Sequence, residues 1–206
     1  MNRRTLVIAA AVALLGVIVA VAASFLHDGL SARAKPSALE AMVARKARHM
    51  AIPSNARLAQ NPVLDSAEHL RDARRHFADH CAICHGNDGS GQTMIGNGLY
   101  PRPPDLRLQE TQDLTDGELF WTIENGVRFT GMPAFAGGGE HGGSEDSWKL
   151  VHFIRHLPRL SAEERIEMER YNPKSPEDRQ EEQQENDFLN GATPSRKRES
   201  QNHHQE

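Results

Sequence analysis

An unbroken apolar run opens the chain, Leu6 to Leu26, interrupted only by the small residues Gly16 and Ser24. A helix needs roughly 20 apolar residues to cross a bilayer, so this run predicts a membrane-spanning segment over residues 6–26. Arg3 and Arg4 precede it and favour a cytoplasmic N-terminus, which places everything after His27 outside the cytoplasm. The competing reading is a cleaved signal peptide, with Ala20-Val21-Ala22 or Val21-Ala22-Ala23 before the cleavage point. The run exceeds the usual apolar region of such peptides, about 7–15 residues, and the anchor is preferred.

Residues 29–64 are polar and carry Pro36, Pro53 and Pro62. Within them Ser37 to Met50 predicts a short helix, with Leu39, Met42, Val43 and Ala47 on one face and a basic group of Arg45, Lys46, Arg48 and His49. It reads either as a helix for a membrane surface or partner, or as a solvated spacer that wraps the next domain and sets its reach. Asp65-Ser66-Ala67-Glu68 has the form of a capping box, and Leu70, Ala73, Phe77 and Cys81 then recur as one helical face. Thr115-Asp116-Gly117-Glu118 is a second capping box, opening a helix with Leu119, Phe120 and Ile123 inward and Gly126 at its end. Ser144 caps a last helix built on Trp148, Val151, Phe153, Ile154 and Leu157 and stopped by Pro158. A charged helix follows from Ser161 to Tyr171. Asn172 to Glu206 is rich in Glu, Gln, Asn and Pro and predicts a disordered or surface-wrapping tail. The organisation is therefore 1–28 anchor or signal peptide, 29–64 linker, 65–160 globular domain, 161–206 charged helix and tail.

The balance of 24 basic against 28 acidic residues leaves no electrostatic footprint for nucleic acid. Only two cysteines are present, Cys81 and Cys84, so there is no disulfide framework. They stand in Cys81-Ala82-Ile83-Cys84-His85, the pattern of a covalent haem attachment site: two thiols for the two vinyl groups, then a histidine as axial ligand of the iron. The bland alternative, a redox dithiol, leaves His85 unexplained and lacks the strand–helix alternation such dithiols sit in. Downstream, Gly131-Met132-Pro133 presents a thioether from a rigid turn, because Pro133 restricts Met132 to extended backbone. Met132 is weighed against a plain core methionine and against Met50, Met94 and Met168. The glycine cluster Gly86 to Gly91 lets backbone approach a porphyrin. His152 and His156 share a helix face, but no third ligand accompanies them.

The CxxCH motif and the later methionine resemble class I c-type cytochromes over about Asp65 to Leu160. The resemblance implies an all-α fold: a small cytochrome c domain around one covalent haem c, with an N-terminal transmembrane helix and a polar C-terminal tail added. It implies Phe77 as an aromatic on the first helix, Ala73 where glycine is usual, and Phe153 as the aromatic packing between first and last helices. It implies a carbonyl in the proline-rich loop, Pro103 or Pro104, accepting the proton on the non-ligating nitrogen of His85. Arg102, Tyr100 and Trp121 are candidates for the haem propionates. His85 and Met132 are the expected metal ligands. With both axial positions filled, the expected role is electron transfer rather than catalysis. The carrier would be a membrane-anchored shuttle or a respiratory-complex subunit on the periplasmic side. Its partners would be redox proteins, either a membrane complex or a soluble carrier. The alternative is a haem-based sensor in which Met132 is displaced by a gas.

Overall fold

The computed structural model describes residues 2–27, 31–136 and 144–190, and every regular element among them is helical. α1 (Arg3–His27) is the apolar run. It is long and apolar enough to cross a membrane over Arg3–Ser24, with mean hydropathy 3.0 and none of that span buried against the rest of the protein. α2 (Ala38–Ala51) is capped by Ser37, whose side chain accepts from the Glu40 N–H. A single turn, α3 (Ser54–Arg57), follows.

The globular domain opens with α4 (Ala67–His76). Its cap lies one residue later than the expected box: Ser66, not Asp65, accepts from the His69 N–H. The expected inward face is present, with Ala73 and Phe77 buried and Leu70 and Cys81 packed against the core, but the helix is not regular: it widens into a π turn over Phe77–Cys81 before α5 (Ala82–His85). The wider turn rotates the positions that follow it. Phe77 and Ala78, at the start of the turn, are buried at 2% and 0% exposure. Short turns α6 (Met94–Asn97) and α7 (Gln109–Gln112) lead to α8 (Asp116–Asn125), with the expected capping box of Thr115 and Glu118.

α9 (Ser144–His156) returns across α4 and continues into a 3₁₀ turn, Leu157–Arg159, that contains Pro158. The core forms at this crossing. Phe77 and Phe153 meet with ring centroids 5.0 Å apart, beside the buried Ala73, Val151 and Leu157. Phe120 of α8 stacks on Trp148 of α9 at 4.0 Å.

Packing continues beyond Leu160, where the sequence places the domain's end. In α10 (Ala162–Glu169), Met168 is fully buried in the same core. Arg74 on α4, itself buried, bonds Glu164 at 2.8 Å and Glu167 at 2.6 Å. In the first part of the tail, α11 (Pro176–Leu189) begins in a capping box of Ser175 and Asp178 and has no buried residue. Local capping orders it without a core. Residues 191–206 and the glycine loop 137–143 with His141 lie outside the described residues.

The linker is no loose spacer. Ile52 is 2% exposed, and Ala59 and Val63 pack on the core. Thr115 donates its hydroxyl to the Arg57 carbonyl at 2.8 Å, His152 Nε2 lies 2.8 Å from the Val63 carbonyl, and Asn61 donates to the Trp148 carbonyl at 3.0 Å. His49 Nδ1 lies 2.8 Å from the buried Glu118 Oε1, at ion-pair distance though out of line for a hydrogen bond. Gly117 explains itself here: a Cβ on it would sit 1.9 Å from the Ala56 carbonyl oxygen. In an ordinary helix Gly→Ala stabilises by about 0.5–1 kcal/mol. Here Gly117→Ala reverses that sign. Chemical denaturation of the holoprotein should show a loss of at least about 1 kcal/mol, with proteolysis accelerated between Ile52 and Leu64.

Candidate haem-binding site

The site begins where the π turn ends. Cys81 closes that turn, Cys84 and His85 lie on α5, and Gly86 at φ 75° stops the helix. Both cysteines are unpaired thiols. Burial, with Cys84 alongside, pushes the Cys81 thiol up to about 12, and burial raises Cys84 as well. Both are therefore protonated near neutrality. A reactive dithiol needs the opposite shift, toward thiolate, so the surroundings speak against the redox-dithiol alternative.

Burial pushes His85 down to about 4, leaving a neutral imidazole, the form that binds a metal. Its Nδ1 is buried with no hydrogen-bond partner. A ligating histidine ordinarily donates this proton to an acceptor. The expected bond to Pro103 or Pro104 is not formed here. The Pro103 carbonyl is turned toward Gly91 instead, close enough that a Cβ there would lie 2.6 Å from its oxygen. Gly91, at φ 73°, in turn donates its N–H to the His85 carbonyl at 2.7 Å, so the glycine loop ties His85 to the proline loop. Arg107 braces this loop, bonding Asp105 at 2.7 Å and reaching Asp88 at 3.3 Å.

Met132 sits half-buried in a loop folded back on α8. Its carbonyl accepts from the Val127 N–H at 3.1 Å, and its N–H donates to Thr130 Oγ1 at 3.1 Å. Phe135 N–H bonds the Ile123 carbonyl at 3.2 Å. The other methionines differ: Met168 is sealed in the core at 0%, while Met50 and Met94 are 74% and 88% exposed. Gly131 abuts Leu99, whose side chain would lie 2.7 Å from a Cβ there.

Of the propionate candidates, Tyr100 donates its hydroxyl to Glu40 on α2 and is engaged by the linker. Arg102 is half-buried, and its Nε is a buried donor without a partner. Trp121 is half-buried on α8. His152 and His156 are structural: the first meets Val63 and the second meets Glu164 at 3.0 Å. Among the described residues no cluster of three or more His, Cys, Asp or Glu is placed to hold a metal ion.

One residue escaped the sequence reading. The single hydroxyl proton of Thr93 is shared between the carbonyls of Ile83 at 2.8 Å and Cys84 at 3.2 Å, and its oxygen accepts the Gly96 N–H at 2.8 Å. It caps α6 and fastens it to the attachment helix. A threonine just before a helical turn was its only local signal. The tie runs on through Leu99, just past α6, to Gly131, linking the His85 and Met132 segments.

Residues 68–154 match the family model described as cytochrome c oxidase, cbb3-type, subunit III. The match spans α4 to α9 and contains every residue of the site above. The domain is a class I c-type cytochrome. It is a haem domain for electron transfer. Its residues fit the group: a neutral imidazole, two protonated thiols at CxxCH spacing, and an orphaned buried guanidinium donor. A comparison with curated proteins returns no match.

The role of Thr93 in the cytochrome is testable. Thr93→Val removes a helix cap and the shared hydroxyl bond to the attachment helix together, and should lower unfolding stability by about 1–2 kcal/mol. Thr93→Ser should restore most of it, as read from denaturant midpoints.

Proposed function

We propose that the domain carries one haem c held through Cys81 and Cys84, with His85 and Met132 as axial ligands, and relays single electrons outside the cytoplasmic membrane. The observation that carries this reading is His85: a neutral imidazole at the end of the attachment helix, one residue beyond Cys84, in the form that binds a metal. When bound, a haem with nitrogen and sulfur axial ligands exchanges one electron and offers no vacant position to a substrate, the thioether favouring the ferrous state.

The chain's own residues divide the remaining work. Gly86 ends α5 so that His85 leaves the helix at a fixed angle. The Pro103 carbonyl, kept nearby because Gly91 lacks a side chain, is the acceptor we assign to Nδ1. Thr130 and Val127 hold the Met132 backbone, so the thioether is presented without the entropy cost of ordering a loose loop. Arg102 Nε is the donor we assign to a propionate. Trp121 remains a candidate there, and Tyr100 joins it only by giving up Glu40.

α1 serves as the anchor in this reading, and the donor and acceptor are redox proteins reached from the membrane surface. The family description names an oxidase subunit, which supports membership of a respiratory complex over a free shuttle. The match leaves α1, α2, α3, α10 and α11 outside it.

Two measurements check the ligand set. Met132→Ala should lower the midpoint potential by on the order of 100 mV or more and abolish the weak near-infrared band of methionine-to-ferric ligation. An unchanged potential would remove Met132 from the site. Rapid CO binding by the unmodified reduced protein at neutral pH would favour the gas-sensor reading instead. Separately, acid acetone should leave the pigment on the protein, whereas the Cys81→Ala/Cys84→Ala double variant should lose it completely.

A further inference from the structure

α2 has two faces, and only one is used by the protein. At about 100° per residue, Ala41, Arg48 and Ile52 share a stripe, and these are the half-buried and buried positions that meet the cytochrome domain. The opposite stripe holds Leu39, Val43, Lys46 and Met50, with Met42 at its flank. Leu39, Met42, Val43 and Met50 are 67%, 52%, 55% and 74% exposed. An apolar stripe aimed away from the core it is docked against has no intramolecular purpose.

We propose that this outward stripe of α2 lies in the surface of an anionic bilayer, holding the haem domain against the membrane in one orientation. Two observations select lipid as the occupant. First, residues 28–37 are all that separates α2 from α1, and such a stretch spans at most about 35 Å; α2 therefore stays near the surface that α1 crosses. The inference rests on α1 as anchor for this proximity, and haem ligation does not enter it. Second, the exposed bases from Ser31 to Ala51 are Arg33, Lys35, Arg45 and Lys46, against the single acid Glu40, in a protein of net charge −4. Lys46 lies on the apolar stripe, and Arg33 and Lys35 precede the helix on the side of α1; bases so placed suit a helix lying in the headgroup region, where lysine and arginine stems cover apolar surface and their charges meet lipid phosphates.

The docked face makes the consequence geometric. α2 is joined to the domain by Glu40 to Tyr100 and by His49 to Glu118, and Tyr100 opens the same proline loop that faces Gly91. Fixing α2 on the bilayer fixes the proline loop, and the domain with it.

The test uses the full-length holoprotein with Val43→Trp, an exposed position, in bilayers of phosphatidylglycerol and phosphatidylcholine with brominated acyl chains. Emission from Trp121 and Trp148 is subtracted using the unsubstituted protein. Emission from position 43 should fall about twofold relative to unbrominated bilayers, as for a side chain at the acyl boundary, and should fall less when phosphatidylglycerol is omitted. Protein that floats with the bilayer but is not quenched would overturn the interfacial placement while leaving the anchor intact. Protein that does not float would overturn both. Equal quenching in the two bilayers would overturn the role given to the basic residues.

Discussion

Phe77 on the first helix of the domain and Phe153 on the last meet ring to ring, and both are almost wholly buried. That contact locks the crossing of α4 and α9. Everything chemical depends on it, because the attachment motif starts four residues after Phe77 on the same helix. The π turn between them is the adjustment that lets one helix satisfy two demands: Phe77 and Ala78 go into the core, and Cys81 is then carried round to the site. The ring of Phe77 also lies 6.4 Å from that of His85, so the residue that builds the core also walls the site.

Around this crossing two outer segments are fastened by histidines one helical turn apart. His152 meets the linker through the Val63 carbonyl, and His156 meets α10 through Glu164. Burial alone would raise the Glu164 carboxyl, but the Ser161 N–H, His156 and Arg74 outweigh it and hold the group below the usual carboxylate range. Its contribution to stability is thus complete above the unfolded pKa of about 4.3 and fades as pH falls through the lowered folded value. A pair of histidines that could pass for a metal site is thereby a pair of structural braces, and the folded unit reaches from Ile52 to Met168.

The site has little charge of its own. Burial keeps the imidazole neutral and the thiols protonated, and Arg102 Nε is a buried donor without a partner. An unpaired buried donor is costly, and an anionic propionate is a group that would satisfy it. The apolar surroundings also disfavour the extra charge of the oxidised metal, the same bias that a thioether ligand supplies.

How much of this was legible beforehand follows from the range of each interaction. The apolar run of α1, the Thr115–Glu118 box, the Cys81–His85 motif and the Gly131–Pro133 turn are signals a few residues long. Spacing and residue chemistry alone determined them. Spacing also placed Ala73, Phe77 and Phe153 on apolar helix faces, while the packing of the first helix on the last through these aromatics came from the family resemblance. The site's remaining parts depend on atoms far apart in sequence. Gly117 looks like a flaw in a helix until the Ala56 carbonyl arrives against it. Tyr100 looks like a propionate donor until Glu40 claims its hydroxyl. Thr93 looks like a loop residue until two carbonyls of the attachment helix turn toward it. Sequence by itself determined which chemistry the chain carries, because that is written in residue types at fixed short spacings. Only the tertiary structure decided what is docked and what is left over, because close approach between distant segments carries no local periodicity.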